Sequence, residues 1–150
     1  MQVRHGDYVI SDDPTRLDLA AIHAFLTNVY WSEGIPLSTL TRALQGSLCI
    51  GVYAPNGAQV GLVRIVSDYA TFAYVCDVYV LEDHRVRGLA KAALQAMVDH
   101  PKLQGLRRME LVTRDAHGLY SAFGFTGLYH PERYMAKLDP EVYRRTNRNA

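Results

Sequence analysis

The stretch that decides the fold reads Asp77-Val78-Tyr79-Val80-Leu81-Glu82-Asp83-His84-Arg85-Val86-Arg87-Gly88-Leu89-Ala90-Lys91. Its first part closes a run from Thr71 to Leu81 that is apolar on both faces, as expected of a central strand. Its last part opens a helix from Leu89 to His100. Leu89, Ala93, Met97 and Ala90, Leu94, Val98 form the buried face, and Pro101 stops it. The turn between them aims unpaired backbone N–H groups at one point, where the helix dipole adds positive potential. Gly88 permits close approach and a positive φ, and Ala90 keeps the first helical turn slim. Arg85, Arg87 and Lys91 supply cationic side chains, and arginine can grip phosphate bidentately. A diphosphate is the guest this chemistry suits. The same residues also fit the plain start of a solvated helix. The turn is neither G-x-G-x-x-G nor G-x-x-x-x-G-K-[ST], which argues against NAD and ATP.

Working outward, Tyr8-Val9-Ile10 reads as a first strand within Asp7 to Ser11. Asp13 is placed to cap a helix that Pro14 opens, running to about Asn28 with an apolar face. Tyr30 to Pro36 has no periodicity and reads as a loop, and Pro36 opens a second helix ending near Gly46. Strands are expected over Ser47–Tyr53 and Val60–Val66, joined by Ala54-Pro55-Asn56-Gly57-Ala58. Downstream, Met109–Thr113 reads as a strand. Asp115 is placed to cap a short helix through Phe123, with Gly124 as its stop. Phe125–Leu128 and Tyr134–Leu138 are expected to add two final strands, and Arg144 to the end is expected to be a basic solvated tail. The order β-α-α-β-β-β-α-β-α-β-β mixes hairpins with one β-α-β crossover, giving an α/β or α+β domain around a mixed sheet.

Composition bounds the function. A chain of 150 residues fits one domain spanning 1–150 and can bury a core without staples. Sixteen Lys+Arg against fifteen Asp+Glu leave a net charge of +1, so there is no global field to hold nucleic acid or an anionic membrane. No apolar run approaches a membrane span, and Met1 to Asp7 has no signal-peptide core, so a cytoplasmic setting is expected. Cys49 and Cys76 sit in apolar runs without C-x-x-C spacing and read as reduced thiols. The histidines are scattered and no metal site is expected. A Ser nucleophile elbow is absent too.

The Asp77–Ala90 segment resembles the central acyl-CoA motif of the GNAT N-acetyltransferase superfamily. Asp115-Ala116-His117-Gly118-Leu119-Tyr120-Ser121-Ala122-Phe123-Gly124-Phe125 resembles that superfamily's next motif, a Leu-Tyr pair on a short helix followed by Gly-Phe. The element order matches over nearly the whole chain. Two departures stand out: Ala90 where many members have Gly, and Thr113 where many carry an Asn that helps hold the cofactor.

The resemblance implies a central, mostly antiparallel mixed sheet that splays between Thr71–Leu81 and Met109–Thr113, flanked by about four helices. It implies acetyl-CoA as acyl donor, with its diphosphate on Arg85, Val86, Arg87, Gly88, Leu89, Ala90 and Lys91. Its pantetheine would pair with the backbone of Val78, Tyr79 and Val80, near Thr113. Tyr120 matches the position of a general acid, since a phenol keeps its proton at neutral pH and can lend it to a leaving thiolate. Asp77 is a carboxylate in an apolar strand, costly to bury alone. It could accept the amine's proton, anchor an ammonium, or be a structural carboxylate tied to backbone donors or an arginine. Glu33 and His117 are alternative bases. Tyr30, Trp31 and Glu33, with Ser32, are expected to form the acceptor pocket, where aromatics and a carboxylate suit a cationic amine; His130 and Tyr134 are weaker choices for its far wall.

The expected activity is acetyl transfer from acetyl-CoA to a primary amine of a small molecule, by direct attack in a ternary complex. A catalytically silent acyl-CoA-binding module is the alternative, and a homodimer through the final strands is left open. An RNA-binding role for Arg85, Arg87, Arg107, Arg108 and Arg114 is disfavoured by the near-neutral charge.

Overall fold

The computed structural model describes residues 1–150. Six strands form one sheet in sequence order: β1 (Gln2–His5), β2 (Tyr8–Ser11), β3 (Leu48–Tyr53), β4 (Gln59–Ser67), β5 (Phe72–Val80) and β6 (Arg108–Leu111). Neighbours are antiparallel except β5 and β6, which are parallel because a helical crossover joins them. The helices are α1 (Leu19–Leu26), α2 (Leu37–Gln45), α3 (Leu89–Val98), α4 (His117–Ser121) and α5 (Val142–Arg148). This is the mixed, mostly antiparallel sheet expected, with five helices rather than four.

Each face of the sheet is covered. Crossover helix α3 buries Leu89, Ala93, Leu94 and Met97 against Ile50, Val52, Ile65 and Val75. On the other face, Ile22 and Leu26 of α1 and Leu40 of α2 pack on Cys49, Leu62 and Tyr79. β3 is buried along its whole length, which explains its unbroken apolar reading.

Five expectations are corrected. β1 is an added strand; its residues Val3 and Arg4 are exposed and carry no alternation to read. Asp13 does cap, but only a 3-10 turn at Pro14–Arg16. The α-helix starts at Leu19 with Asp18 as its cap, because buried Gln59 Oε1 takes the Asp18 N–H at 2.7 Å and holds the chain extended there. The two final strands do not form. Pro131 opens a 3-10 turn, and neither flank joins the sheet. The basic tail is helical instead, stitched by Arg144–Glu141 and Arg145–Asp139 pairs. Asp115 pairs with Arg114 rather than capping α4, where Thr113 Oγ1 accepts the Ala116 N–H at 3.0 Å.

Leu94 is fully buried between α3 and the sheet. Leu94→Ala should cost about 2–5 kcal/mol of folding stability in a urea titration, by lost burial plus an unfilled cavity.

Candidate active site

The site begins where β5 loses a neighbour. β5 pairs with β6 from Phe72 to Val75, opposite Arg108 to Leu111, and there the pairing ends. β5 runs on to Val80 while the other chain turns away through Val112 and Thr113. The opening is a cleft of about 940 Å³, floored by Val75 to Val80. One wall is Phe25, Val29, Tyr30, Trp31 and Ile35; the other is Val112 to Ala116 with Leu119 and Tyr120.

A bulge shapes the floor. Leu62 faces Tyr79 and Arg64 faces Cys76, so β5 spends three steps where β4 spends two. The inserted residue region includes Asp77, whose φ of 48° lies in the left-handed region, rare for a non-glycine residue. Strain of this kind costs on the order of 1–3 kcal/mol and persists only where surrounding contacts impose it. Here they do. Arg64 Nε donates to Asp77 Oδ2 at 2.6 Å and Trp31 Nε1 donates to Asp77 Oδ1 at 2.9 Å. Arg64 Nη1 also reaches Ser47 Oγ at 3.0 Å. The carboxylate therefore joins three elements: β4, β5 and the loop after α1. Stacking fixes that loop further, with Phe25 lying 3.8 Å from Tyr79, nearly parallel, and Tyr30 edge-on to Trp31. Arg114 crosses from the opposite wall to lie 4.0 Å over the Tyr30 ring.

The turn at the cleft's end has the backbone of an anion site. Val86, with its side chain fully in solvent, and Gly88 both take positive φ, at 62° and 73°. No side chain caps α3, and its first intrahelical bond is Ala92 N–H to the Gly88 carbonyl. The preceding amides are left to a ligand. Arg87, Gly88 and Lys91 are exposed, and Arg85 Nε donates to the Val80 carbonyl at 2.9 Å. Two histidines brace the turn against the first hairpin: His5 Nε2 donates to the Arg87 carbonyl at 2.7 Å, and His84 Nδ1 is bonded to Tyr8 Oη at 2.8 Å.

Tyr120 lies in the wall facing β5. It is buried apart from its cleft side, packs edge-on against Phe125, and its hydroxyl bonds to no other protein group. Burial, aided by nearby Tyr30, raises its phenol above the ordinary value of 10.0, so it holds its proton.

The cleft thus gathers Asp77, Val78, Tyr79, Val80, Arg85, Ala90, Thr113, Tyr120, Tyr30 and Trp31. Val86, Arg87, Gly88 and Lys91 stand at its end, and Leu89 turns its side chain into the core, leaving only its amide available. Glu33 does not reach the cleft; it points to solvent from the loop because Ser32 and Ile35 take the buried positions. His117 is exposed and also outside it, while His130 and Tyr134 line a separate groove beside β6. The far wall is Tyr143 from α5. Sequence reading missed Arg64, though a lone charge inside Val60–Val66 is the same signal that marked Asp77 one strand away. Tyr143 had no signal, because its segment reads as a tail.

The model of the acetyltransferase (GNAT) family matches residues 18–125, which contain α1 to α4, the whole bulge and the turn. The chain belongs to the GNAT acetyltransferase family. Its likeness to the curated "Putative acetyltransferase FG08082" of Gibberella zeae is 37% identity, covering 77% of this chain and 76% of the relative. A solved GNAT-family protein from Xanthomonas campestris pv. campestris superposes with a TM-score of 0.88 at 46% identity, covering 91% of this chain and 96% of its own. A Clostridium acetobutylicum protein solved with acetyl-CoA shares the fold at a TM-score of 0.62 and 16% identity, over 93% of this chain and 96% of its own. Transfer of an acetyl group from acetyl-CoA is the chemistry of the GNAT family.

Asp77 and Arg64 are only 7% and 17% exposed at their side chains. Arg64→Met should therefore cost roughly 3–5 kcal/mol by leaving a buried carboxylate unpaired. Adding Asp77→Asn should recover part of that loss, a coupling that chemical denaturation of both variants measures.

Proposed function

We propose that this protein acetylates a primary amine of a small molecule, by direct attack on acetyl-CoA with both substrates in the cleft. One observation carries the reading: the unpartnered edge of β5 runs between the uncapped start of α3 and the free Tyr120 hydroxyl. That is the geometry needed to hold a diphosphate at one end and a reacting thioester at the other.

Acetyl-CoA, when bound, supplies an activated acetyl group and a thiolate leaving group. The residues here suit it. Backbone N–H groups at Gly88, Leu89 and Ala90 would hold the diphosphate, with Arg85, Arg87 and Lys91 adding charge. Val78 to Val80 would offer main-chain groups to the pantetheine amides, which requires nothing of their side chains. Thr113 spends its Oγ1 lone pair on the Ala116 N–H, so its part is to shape the wall, with its hydroxyl proton still free to donate.

For the transfer, the amine nitrogen attacks the thioester carbonyl carbon, the carbon–sulfur bond breaks, and the sulfur takes the Tyr120 proton. Asp77 faces the same space with its charge already shared between Arg64 and Trp31. Its remaining lone pairs fit anchoring and orienting the acceptor's ammonium; that ammonium gives one proton to water before it attacks, the adduct's nitrogen gives a second afterwards, and Tyr120 regains its proton from water. A covalent acyl-enzyme has no support, since burial pushes the Cys76 thiol up to about 11 and the Cys49 thiol up to about 12. Neither holds an appreciable thiolate fraction at neutral pH.

Tyr120→Phe should lower kcat by roughly 10²–10⁴-fold while leaving acetyl-CoA affinity unchanged. Because burial raises its phenol above the ordinary value, the alkaline decline of wild-type kcat from this group should fall at a higher pH than an ordinary phenol would give. Release of CoA thiol, screened over an amine panel, checks both. Tight acetyl-CoA binding without thiol release for any amine would identify a silent acyl-CoA-binding module instead.

A further inference from the structure

Residues from Asp139 to Asn149 form a unit bonded chiefly to itself. Asp139 accepts the Glu141 N–H at 3.2 Å and pairs with Arg145, Arg144 pairs with Glu141, and the Thr146 hydroxyl donates to the Val142 carbonyl. The strap before it, Thr126 to Leu138, holds one 3-10 turn and no strand, and Tyr129 and Met135 on it are almost fully exposed.

Two contacts fasten α5 to the body. Asn147 Nδ2 donates to the Gly34 carbonyl at 2.9 Å. Tyr143 packs on the cluster that contains Ile22, Leu26 and Ile35, and also lines the cleft. Gly34 takes φ +78°, a conformation that favours glycine, so the loop carrying Tyr30 and Trp31 presents its carbonyl from a fixed turn. Apart from Tyr143 and Thr146, the residues of α5 are exposed.

We propose that α5 is a detachable wall of the cleft's acceptor end, and that Tyr143 selects acceptors carrying a flat apolar group beside the amine. This rests on the amine-acetylation reading above. The acceptor end is made of Phe25, Val29, Tyr30, Trp31, Ile35 and Tyr143, with the Asp77 carboxylate as the group suited to an ammonium. Rings stacked on rings reward a flat body, whereas a polyamine would shed hydration there and gain no partner for its further charges. A wall held by one hydrogen bond and one ring can shift to admit such a body without disturbing the sheet.

The test uses the full chain with 2-phenylethylamine and spermidine as acceptors. Wild type should favour 2-phenylethylamine. Tyr143→Ala should lower kcat/KM for 2-phenylethylamine about tenfold or more, the size expected for losing an aromatic contact with its buried area. The same variant should leave spermidine turnover and the acetyl-CoA KM alone, and Tyr143→Phe should retain the wild-type preference. Asn147→Ala should raise the KM for 2-phenylethylamine. Trp31, the single tryptophan, gives a second readout: its fluorescence should respond to 2-phenylethylamine in the presence of CoA, and Tyr143→Ala should weaken that response. An equal loss for both amines, or an unchanged preference, overturns the proposal. If wild type turns over neither amine, the preference for a flat apolar acceptor is overturned, while the acetylation reading fails only if no amine of the wider panel releases CoA thiol. No fluorescence response in wild type, or a response that survives Tyr143→Ala, overturns the proposal.

Discussion

β5 keeps its pairing with β4 to Val80 but loses β6 after Val75, and the rest of the cleft follows from that one mismatch. A strand edge left open inside a domain exposes main-chain donors and acceptors that need partners. The fold keeps this edge open by bulging β5 at Asp77 and clamping the bulge. Arg64 enters from β4 and Trp31 from the loop after α1, one on each carboxylate oxygen. A left-handed, buried aspartate would be a poor choice for stability alone. It is tolerable here because its two partners satisfy it, and those partners also fix one wall of the cleft.

The second constraint is the start of α3. No side chain caps this helix start, and its amides stay free beside exposed arginine and lysine side chains. His5 and His84 hold the turn from outside, through bonds to Arg87 and Tyr8. β1 and β2 therefore do more than extend the sheet, since they stiffen the point at which an anionic ligand would be caught. A chain with a net charge of +1 can bind such a ligand because the positive potential is local and largely backbone in origin.

The residues between Thr71 and Gly124 were legible in the sequence because each carried a pattern with a physical reason. The apolar run broken by Asp77 forms β5, the Gly88 turn opens α3, and Tyr120 lies on α4 with Gly124 at positive φ just after it. Other features were not legible. Gln59 holds the chain extended at Asp18 through a contact far away in sequence, which no local pattern reports. Phe125–Leu128 and Tyr134–Leu138 look like strands, but short apolar runs are ambiguous and these find no neighbour. Glu33 has the chemistry of an acceptor-pocket residue and stands near Trp31 in the sequence, yet loop geometry turns it outward. Tyr143 reaches the cleft only through the fold of the strap before it.

The central claim is that the open edge of β5 and the free amides of α3 are the acetyl-CoA site. Amide hydrogen exchange followed residue by residue, with and without acetyl-CoA, tests it most directly. The account predicts slowed exchange at backbone amides within Val78 to Val80 and at Gly88 to Lys91 on binding. Acetyl-CoA binding that left both segments unchanged, with protection appearing elsewhere, would contradict it.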